Sequence, residues 1–133
     1  MSDTSSKNPS VLIIDTNPDV AKILVEWIAE KYQTVVCTST EAGVAKIKSD
    51  GESFSVILTN WGKAHSLGTT GERIMLAVKE HCPQIPVIVT TSLPNHYDIR
   101  AYGPFEILQK PMKLGTLEEA LEHAVAGAAH VCA

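Results

Sequence analysis

The chain has 133 residues, of which 44% are hydrophobic and 20% charged, and its net charge at pH 7 is −4. This composition predicts one globular domain with a single core. The absence of a basic cluster argues against nucleic acid as a partner, and apolar runs such as residues 11–14 are too short to cross a membrane. We expect a cytoplasmic protein, because the polar N-terminus lacks a signal-peptide core and the three cysteines show no disulfide or zinc spacing.

The first half of the chain alternates apolar runs with amphipathic segments. Residues 10–15 predict a buried strand, and Asn17 and Pro18 then supply a helix start. Residues 34–38 predict the second strand, and Thr38 and Glu41 have capping-box spacing before a weaker helix that ends near Gly51. Residues with helical spacing predict the buried face of the first helix: Val20, Ile23, Leu24, Trp27 and Ile28.

The second half continues the alternation. Residues 54–59, 85–90 and 105–109 predict three more strands, and an irregular stretch follows the first of them. Thr69 and Glu72 have capping-box spacing before the third helix, and the segment after the fourth strand has room for only a turn or two of helix. The third helix and the last helix (residues 110–129) have these predicted buried residues: Ile74, Ala77, Val78, His81, Cys82, Leu117, Leu121, Ala124, Val125 and Ala128.

Strands that are nearly all apolar and alternate with helices predict a three-layer, doubly wound α/β domain with a five-stranded parallel sheet. Ligands of such domains bind beyond the carboxyl ends of the strands. We therefore expect the residues at these ends to converge: Asp15, Thr16, Asn60, Thr90, Thr91, Ser92, Lys110 and Pro111.

Four stretches resemble, in order, the receiver domains of two-component response regulators over residues 10–127. They are VLIIDTNPDVAKIL, FSVILTNW, IPVIVTTS and ILQKPMKLGTLEEAL. The resemblance implies a CheY-like (flavodoxin-like) fold with strand order 2-1-3-4-5. We accordingly expect a receiver domain at residues 10–129, a disordered tail at 1–9 and a short C-terminal tail at 130–133.

The resemblance also implies roles for residues of the first and third strands. In that family two acids after the first strand and an aspartate after the third hold Mg²⁺, and the third-strand aspartate accepts a phosphoryl group. Asp15 matches the first acid, Thr16 the second, and Asn60 the phosphoacceptor.

Further matches lie on the fourth and fifth strands. Thr91, which Ser92 follows, matches the switch hydroxyl of the family. The Lys110–Pro111 step matches the lysine that pairs with the phosphate and a peptide bond that is usually cis. Ile107 replaces the aromatic residue that usually moves with the switch, so the output side also departs from the family pattern.

These departures predict a degenerate receiver, or pseudo-receiver. The amide of Asn60 is a very poor nucleophile, and Thr16 removes a second carboxylate. Because Mg²⁺ prefers anionic oxygen ligands, we expect no cofactor and weak or absent Mg²⁺ binding, with Asp15 as the only residual ligand. We further expect Asp15 and Lys110 to form an ion pair, with Asn60 and Thr91 hydrogen-bonding around it.

The predicted function is that of a non-enzymatic, phosphorylation-independent protein-interaction module. Its partner would be a signalling protein, either a histidine kinase or a downstream effector, or a second copy of the chain. Two alternatives stay open: a phosphorylatable receiver with an unusual acceptor such as Asp15, and a small-molecule binder of flavodoxin-like fold. Against the latter, the chain has no glycine-rich phosphate turn and no metal-ligand spacing. His65 is interpreted as a solvated loop residue, and Trp61 as either exposed or packed on the sheet.

Overall fold

The structure, a computed structural model, describes residues 8–63 and 66–132, with side chains through residue 127. The strands are β1 (Ser10–Ile14), β2 (Gln33–Cys37), β3 (Val56–Asn60), β4 (Val87–Thr91) and β5 (Glu106–Gln109). The helices are α1 (Pro18–Ile28), α2 (Thr40–Asp50), α3 (Thr70–His81), α4 (Tyr97–Arg100) and α5 (Leu114–Cys132). None of the described helices combines the length and apolar character needed to span a bilayer.

All neighbouring strands are parallel, and their order is β2-β1-β3-β4-β5. Helices α1 and α5 pack on one face of the sheet, and α2 and α3 pack on the other. The predicted three-layer, doubly wound fold and the strand order implied by the resemblance are therefore confirmed.

The central strands are apolar on both sides because helices cover both faces. Along β1, Leu12 and Ile14 face the α2–α3 layer, whereas Val11 and Ile13 face the α1–α5 layer. The parallel register then aligns the strand ends, with Ile14 beside Thr59 in one pair and polar partners in the next. In β3 and β4, polar side chains thus appear only at the carboxyl ends of the strands.

Two of the predicted helix starts are confirmed. The side chain of Asn17 accepts hydrogen bonds from the N–H groups of Asp19 and Val20, and Pro18 occupies the first turn of α1. At α3, the Thr69 hydroxyl accepts from the Glu72 N–H while the Glu72 carboxylate accepts from the Thr69 N–H, which completes a capping box. Both caps fix how the chain leaves a strand end and enters a helix.

The predicted cap of α2 was wrong by one residue. The Ser39 hydroxyl accepts the hydrogen bond from the Ala42 N–H at 3.1 Å, so Ser39 and not Thr38 is the N-cap. Thr38 and Glu41 have the spacing of a capping box, but the helix begins at Thr40. The N-cap is therefore Ser39, and Thr38 lies one residue before it. Adjacent Ser and Thr residues make such a start ambiguous from spacing alone.

The predicted buried face of α1 was too wide. Ala21, Leu24 and Ile28 are buried, whereas Ile23 is 46% exposed. The sheet covers one stripe of the helix, and consecutive residues on a helix lie about 100° apart, so Ile23 falls outside the stripe that contains Leu24. Ile23 therefore lies on an accessible apolar flank.

The domain boundaries stay a prediction. Residues 1–7 and 64–65 lie outside the described residues, as do the side chains of 128–133, so His65 and the burial expected for Ala128 are not described. Pro9 is the last residue of the expected N-terminal tail, and its carbonyl accepts a hydrogen bond from the Gln33 N–H at 2.9 Å. Pairing between the first two strands thus extends one residue before β1.

Candidate functional site at the strand ends

Asp15, directly after β1, is 1% exposed. Its Oδ1 accepts a hydrogen bond from the Asn17 N–H at 2.9 Å, and its own N–H donates to the Cys37 carbonyl at 3.1 Å. Its Oδ2 is buried and has no hydrogen-bond partner. Because a buried carboxylate is costly without a compensating charge, the position of the nearest cation decides how Asp15 is tolerated.

Lys110, directly after β5, supplies that cation. Its Nζ lies 3.7 Å from Asp15 Oδ2, and its side chain is 28% exposed. The ion pair that we expected from the sequence is present, at a separation longer than a hydrogen bond. The Lys110–Pro111 peptide bond is cis, as the resemblance implied.

Asn60, the last residue of β3, contacts the residue that replaces the second acid. Its Nδ2 donates a hydrogen bond to Thr16 Oγ1 at 3.0 Å. Its Oδ1 is buried without a partner. The expectation that Asn60 hydrogen-bonds around the ion pair was wrong: Asn60 bonds to Thr16.

Thr91, at the end of β4, likewise uses its hydroxyl in a contact away from the ion pair. Thr91 is 4% exposed, and its Oγ1 accepts a hydrogen bond from the Leu93 N–H at 3.0 Å in a local turn. Among the described residues the Thr91 hydroxyl makes no hydrogen bond to Asp15 or Lys110, so that expected contact was wrong as well. Thr91 meets Lys110 through the backbone instead, where its carbonyl accepts from the Lys110 N–H at 2.7 Å. Ser92 follows as an exposed residue at the rim.

An aromatic cluster packs beside the crevice. Trp61, which follows Asn60, is 4% exposed and makes an edge-to-face contact with Tyr102 at a ring-centroid distance of 5.5 Å. The Tyr102 hydroxyl donates to Glu72 Oε2 at 2.8 Å, and this hydrogen bond raises the pKa of Tyr102 above its ordinary value. Trp61 is therefore buried and not exposed, and the described contacts of its ring are with Tyr102 and Gly71 and not with an edge of the sheet.

Ile107 on β5 lies beside this cluster as an aliphatic neighbour. It is partly buried, packs against the core on the α2–α3 face and pairs in register with Val89. The aromatic contacts instead come from Tyr102, five residues earlier on the chain. Sequence reasoning missed Tyr102 because its partners Trp61 and Glu72 belong to a distant part of the chain.

The donor set fits poorly to the Mg²⁺ that the fold family implies. Among the described side chains of residues 8–63 and 66–127, no group of three His, Cys, Asp or Glu is placed to hold a metal ion. Asp15 offers one carboxylate, Thr16 Oγ1 accepts from Asn60, and Lys110 places a positive charge 3.7 Å from the single free carboxylate oxygen. A divalent cation there would meet a lysine and a single carboxylate, fewer anionic oxygens than it prefers.

The strand ends enclose a cleft of about 240 Å³. Lys63 lines this cleft because the chain turns at Gly62. The φ of Gly62 is 77°, a value that glycine adopts without strain. Sequence reasoning missed Lys63, although its place three residues after a strand end was a usable signal. The lining residues are Asn60, Gly62, Lys63, Thr90, Thr91, Ser92, Leu93 and Lys110.

Solved receiver domains share this architecture. A response regulator receiver domain from Clostridium thermocellum has a TM-score of 0.82 at 22% identity, covering 92% of this chain and 98% of that chain. A CheY-like receiver domain from Methanospirillum hungatei has a TM-score of 0.81 at 18% identity, covering 93% and 98%. The receiver domain of a sensor histidine kinase from Pseudomonas aeruginosa, solved with magnesium coordinated in its active site cleft, has 0.76 at 16% identity, covering 90% and 98%.

The sequence matches no protein-family model and no curated protein. The likeness to the solved structures establishes that the chain has the receiver-domain fold.

Proposed function

We propose that this chain is a degenerate receiver domain that acts in two-component signalling by binding another protein, without being phosphorylated. One observation carries the proposal: an amide, Asn60, stands at the end of β3 and is hydrogen-bonded to Thr16. An amide lacks the anionic oxygen that attacks a phosphoryl donor, so no aspartyl phosphate forms at this position.

The surrounding charges support the same proposal. A receiver of the same fold from Pseudomonas aeruginosa holds magnesium in its active site cleft. Here the corresponding region retains Asp15 as its carboxylate, and Lys110 already neutralises it. Mg²⁺ binding is weak or absent. The lysine that would otherwise meet a phosphate is ion-paired with Asp15.

An apolar groove supports protein binding as the mode of action. It has a volume of about 600 Å³ and lies between α1 and the turn that joins β5 to α5. Ile23 and Met112 contribute to its lining, beside the ion-paired Lys110. A partner helix seated here would bury Ile23 and contact the strand-end crevice.

The absence of phosphorylation is tested by intact mass after incubation with acetyl phosphate and Mg²⁺. We expect no gain of a phosphoryl group for the natural chain and a gain for the double variant Thr16→Asp/Asn60→Asp, which restores the missing acids. A stable gain on the natural chain would contradict the proposal and favour the alternative in which Asp15 accepts the phosphoryl group.

Protein binding is tested by capturing partners on the immobilised chain before and after acetyl phosphate treatment. We expect the same partner in equal amount under both conditions. Ile23→Lys should abolish capture, whereas Leu76→Lys, a matched change of an exposed apolar residue on α3, should not. Capture that requires acetyl phosphate would contradict phosphorylation independence.

A further inference from the structure

A second cavity lies at the end of the sheet opposite the strand-end crevice. It has a volume of about 340 Å³ and lies between the C-terminal half of α3, the start of β4 and the segment before β5. The Phe105 N–H donates to the carbonyl of Val87, the first residue of β4, at 2.8 Å, which holds that segment against the sheet. Clefts of about 300–1,000 Å³ are typical of small-molecule sites. We call this one the α3–β4 cavity.

The walls of the α3–β4 cavity are apolar and already in place. Met75, Val78 and Val87 line it, and each is 3% exposed. Pro83 and Pro86 line it from the connection between α3 and β4, where their rings restrict the backbone. Because a ligand would not have to order these residues, binding would cost the protein little conformational entropy. The cavity is therefore a preformed apolar site.

One wall of the cavity is an accessible aromatic ring. Phe105 lines the cavity and is 45% exposed, which is high for so large an apolar side chain. Its ring lies beside α5 at Gly127, where an added Cβ would come within 3.6 Å of it. Aromatic rings pair favourably with one another, and methionine sulfur packs well against rings. Phe105 and Met75 together therefore favour an aromatic ligand.

The charge beside the cavity indicates the polar group of that ligand. Lys79 is the one charged residue of the described chain that lines the cavity. It is exposed and takes part in none of the ion pairs among the described residues. An ammonium group beside an apolar cavity matches a ligand that carries a carboxylate on an apolar body.

We propose that the α3–β4 cavity binds a small aromatic carboxylate, with its ring packed on Phe105 and Met75 and its carboxylate paired with Lys79. None of these residues lines the strand-end crevice or the apolar groove beside α1. The proposal therefore goes beyond binding of a protein partner, and it does not depend on the absence of phosphorylation.

The test titrates the full chain with sodium 1-naphthylacetate and with the neutral 1-naphthylacetamide at matched ionic strength. Calorimetry measures the affinities, and the backbone amide resonances of Val78, Val87 and Phe105 locate the ligand. We expect saturable binding of both ligands, with the carboxylate about fivefold tighter, the effect of one solvent-exposed ion pair. Shifts that do not saturate, shifts centred elsewhere on the chain, or equal affinity for the two ligands would overturn the proposal.

A pair of lysine variants tests the ion pair. Lys79→Met should weaken the carboxylate about fivefold, to the affinity of the amide, and leave the amide unchanged. Lys22→Met should change neither affinity, because Lys22 is exposed on α1 and does not line the cavity. Equal effects of the two variants, or an equal loss for both ligands in Lys79→Met, would overturn the role of Lys79.

A pair of aromatic variants tests the ring contact. Phe105→Leu should weaken both ligands about fivefold, the effect of one lost aromatic pair. Tyr97→Leu, at a 78% exposed aromatic residue on α4 outside the cavity, should weaken neither. Equal affinities of these two variants would overturn the assignment. If Phe105→Leu fails to fold, the two exposed lysines remain a decisive comparison.

The cavity and the proposed function are tested by different measurements. Failure of both naphthyl ligands to bind overturns the cavity as a site and leaves the proposed function intact. A covalent mass gain with acetyl phosphate contradicts the proposed function and leaves reversible binding at the α3–β4 cavity intact.

Discussion

Two neighbouring regions differ in how completely their polar atoms are hydrogen-bonded: the strand-end crevice around Asp15 and Lys110, and the aromatic cluster of Trp61 and Tyr102 with Glu72. In the crevice, Lys110 Nζ lies 3.7 Å from Asp15 Oδ2, too far for a hydrogen bond. Three buried oxygen atoms of the described chain have no hydrogen-bond partner: Asp15 Oδ2, Asn60 Oδ1 and Thr90 Oγ1. In the cluster, the Tyr102 hydroxyl donates to Glu72 Oε2 at 2.8 Å. The other carboxylate oxygen, Glu72 Oε1, accepts from the Thr69 N–H at 2.7 Å and completes the capping box.

This difference indicates that the aromatic cluster is fixed by its own contacts, whereas the crevice can tolerate changes of side chain. Packed rings and complete hydrogen bonds hold the loop after β3 against the loop before β5, without any contribution from a ligand. In the crevice, three buried oxygen atoms have hydrogen-bonding capacity that the described protein groups do not use. Substitutions should therefore be more costly in the cluster than in the crevice, and the predictions below test that order.

The largest effect is expected for Gly71→Ala in the first turn of α3. A Cβ atom at Gly71 would overlap the ring of Trp61, which its contact with Tyr102 holds in place. We expect a loss of about 3 kcal/mol in unfolding free energy, at the upper end of overpacking penalties. Urea denaturation measures it.

The matched control is Gly115→Ala in the first turn of α5, where an added Cβ meets no atom within 4 Å. This variant should gain about 0.5 kcal/mol, because Ala favours a helix over Gly. Equal losses for Gly71→Ala and Gly115→Ala would contradict the tight packing of the cluster.

The next effect is expected for Lys110→Met, which leaves Asp15 buried without a positive neighbour. Breaking a buried ion pair costs about 3–5 kcal/mol, and we expect about 2 kcal/mol here because Lys110 is partly exposed. The double variant Asp15→Asn/Lys110→Met should recover most of the loss, since it removes both charges. A double variant that loses the sum of the two single effects would show that the pair does not interact.

A smaller effect is expected for Tyr102→Phe, which removes the hydrogen bond to Glu72. Because that bond raises the folded-state pKa of Tyr102 above 10.0, its contribution is complete below pH 10 and is lost as the pH rises through the folded pKa. The natural chain should therefore lose more stability than Tyr102→Phe between pH 9 and pH 11, as measured by urea denaturation. Parallel pH profiles would contradict this link.

The smallest effect is expected for Thr90→Val, which replaces an orphan buried hydroxyl with a methyl group. Removing an unsatisfied polar group is neutral or stabilising, so we expect a change between zero and a gain of about 0.5 kcal/mol in phosphate-free buffer. Thermal unfolding measures it. A loss above about 1 kcal/mol would show that the hydroxyl has a partner, and would weaken the contrast between crevice and cluster.

The sequence predicted the fold because β1, β3 and β4 are apolar on both faces, which requires helices on each side. Strand order came from the resemblance and not from periodicity. The pairing of Asp15 with Lys110 was predictable because the ends of parallel strands share one edge and opposite charges there attract.

Other contacts depended on geometry that residue types do not fix. Asn60 could have bonded to several neighbours, and the choice of Thr16 follows from the side-chain directions at the end of β3 and in the loop after β1. Thr91 bonds to the backbone of its own turn, which is the local competition typical of threonine. The hydrogen bond between Tyr102 and Glu72 joins residues 30 positions apart, and no local sequence pattern predicts it.

The central claim is that the crevice lacks the anionic oxygens to hold a divalent cation, and a titration with MgCl₂ tests it most directly. Thermal unfolding of the natural chain and of Thr16→Asp/Asn60→Asp is compared at matched ionic strength. The account predicts an unchanged melting temperature for the natural chain and a saturable rise for the double variant. A saturable rise of similar size in the natural chain would contradict it.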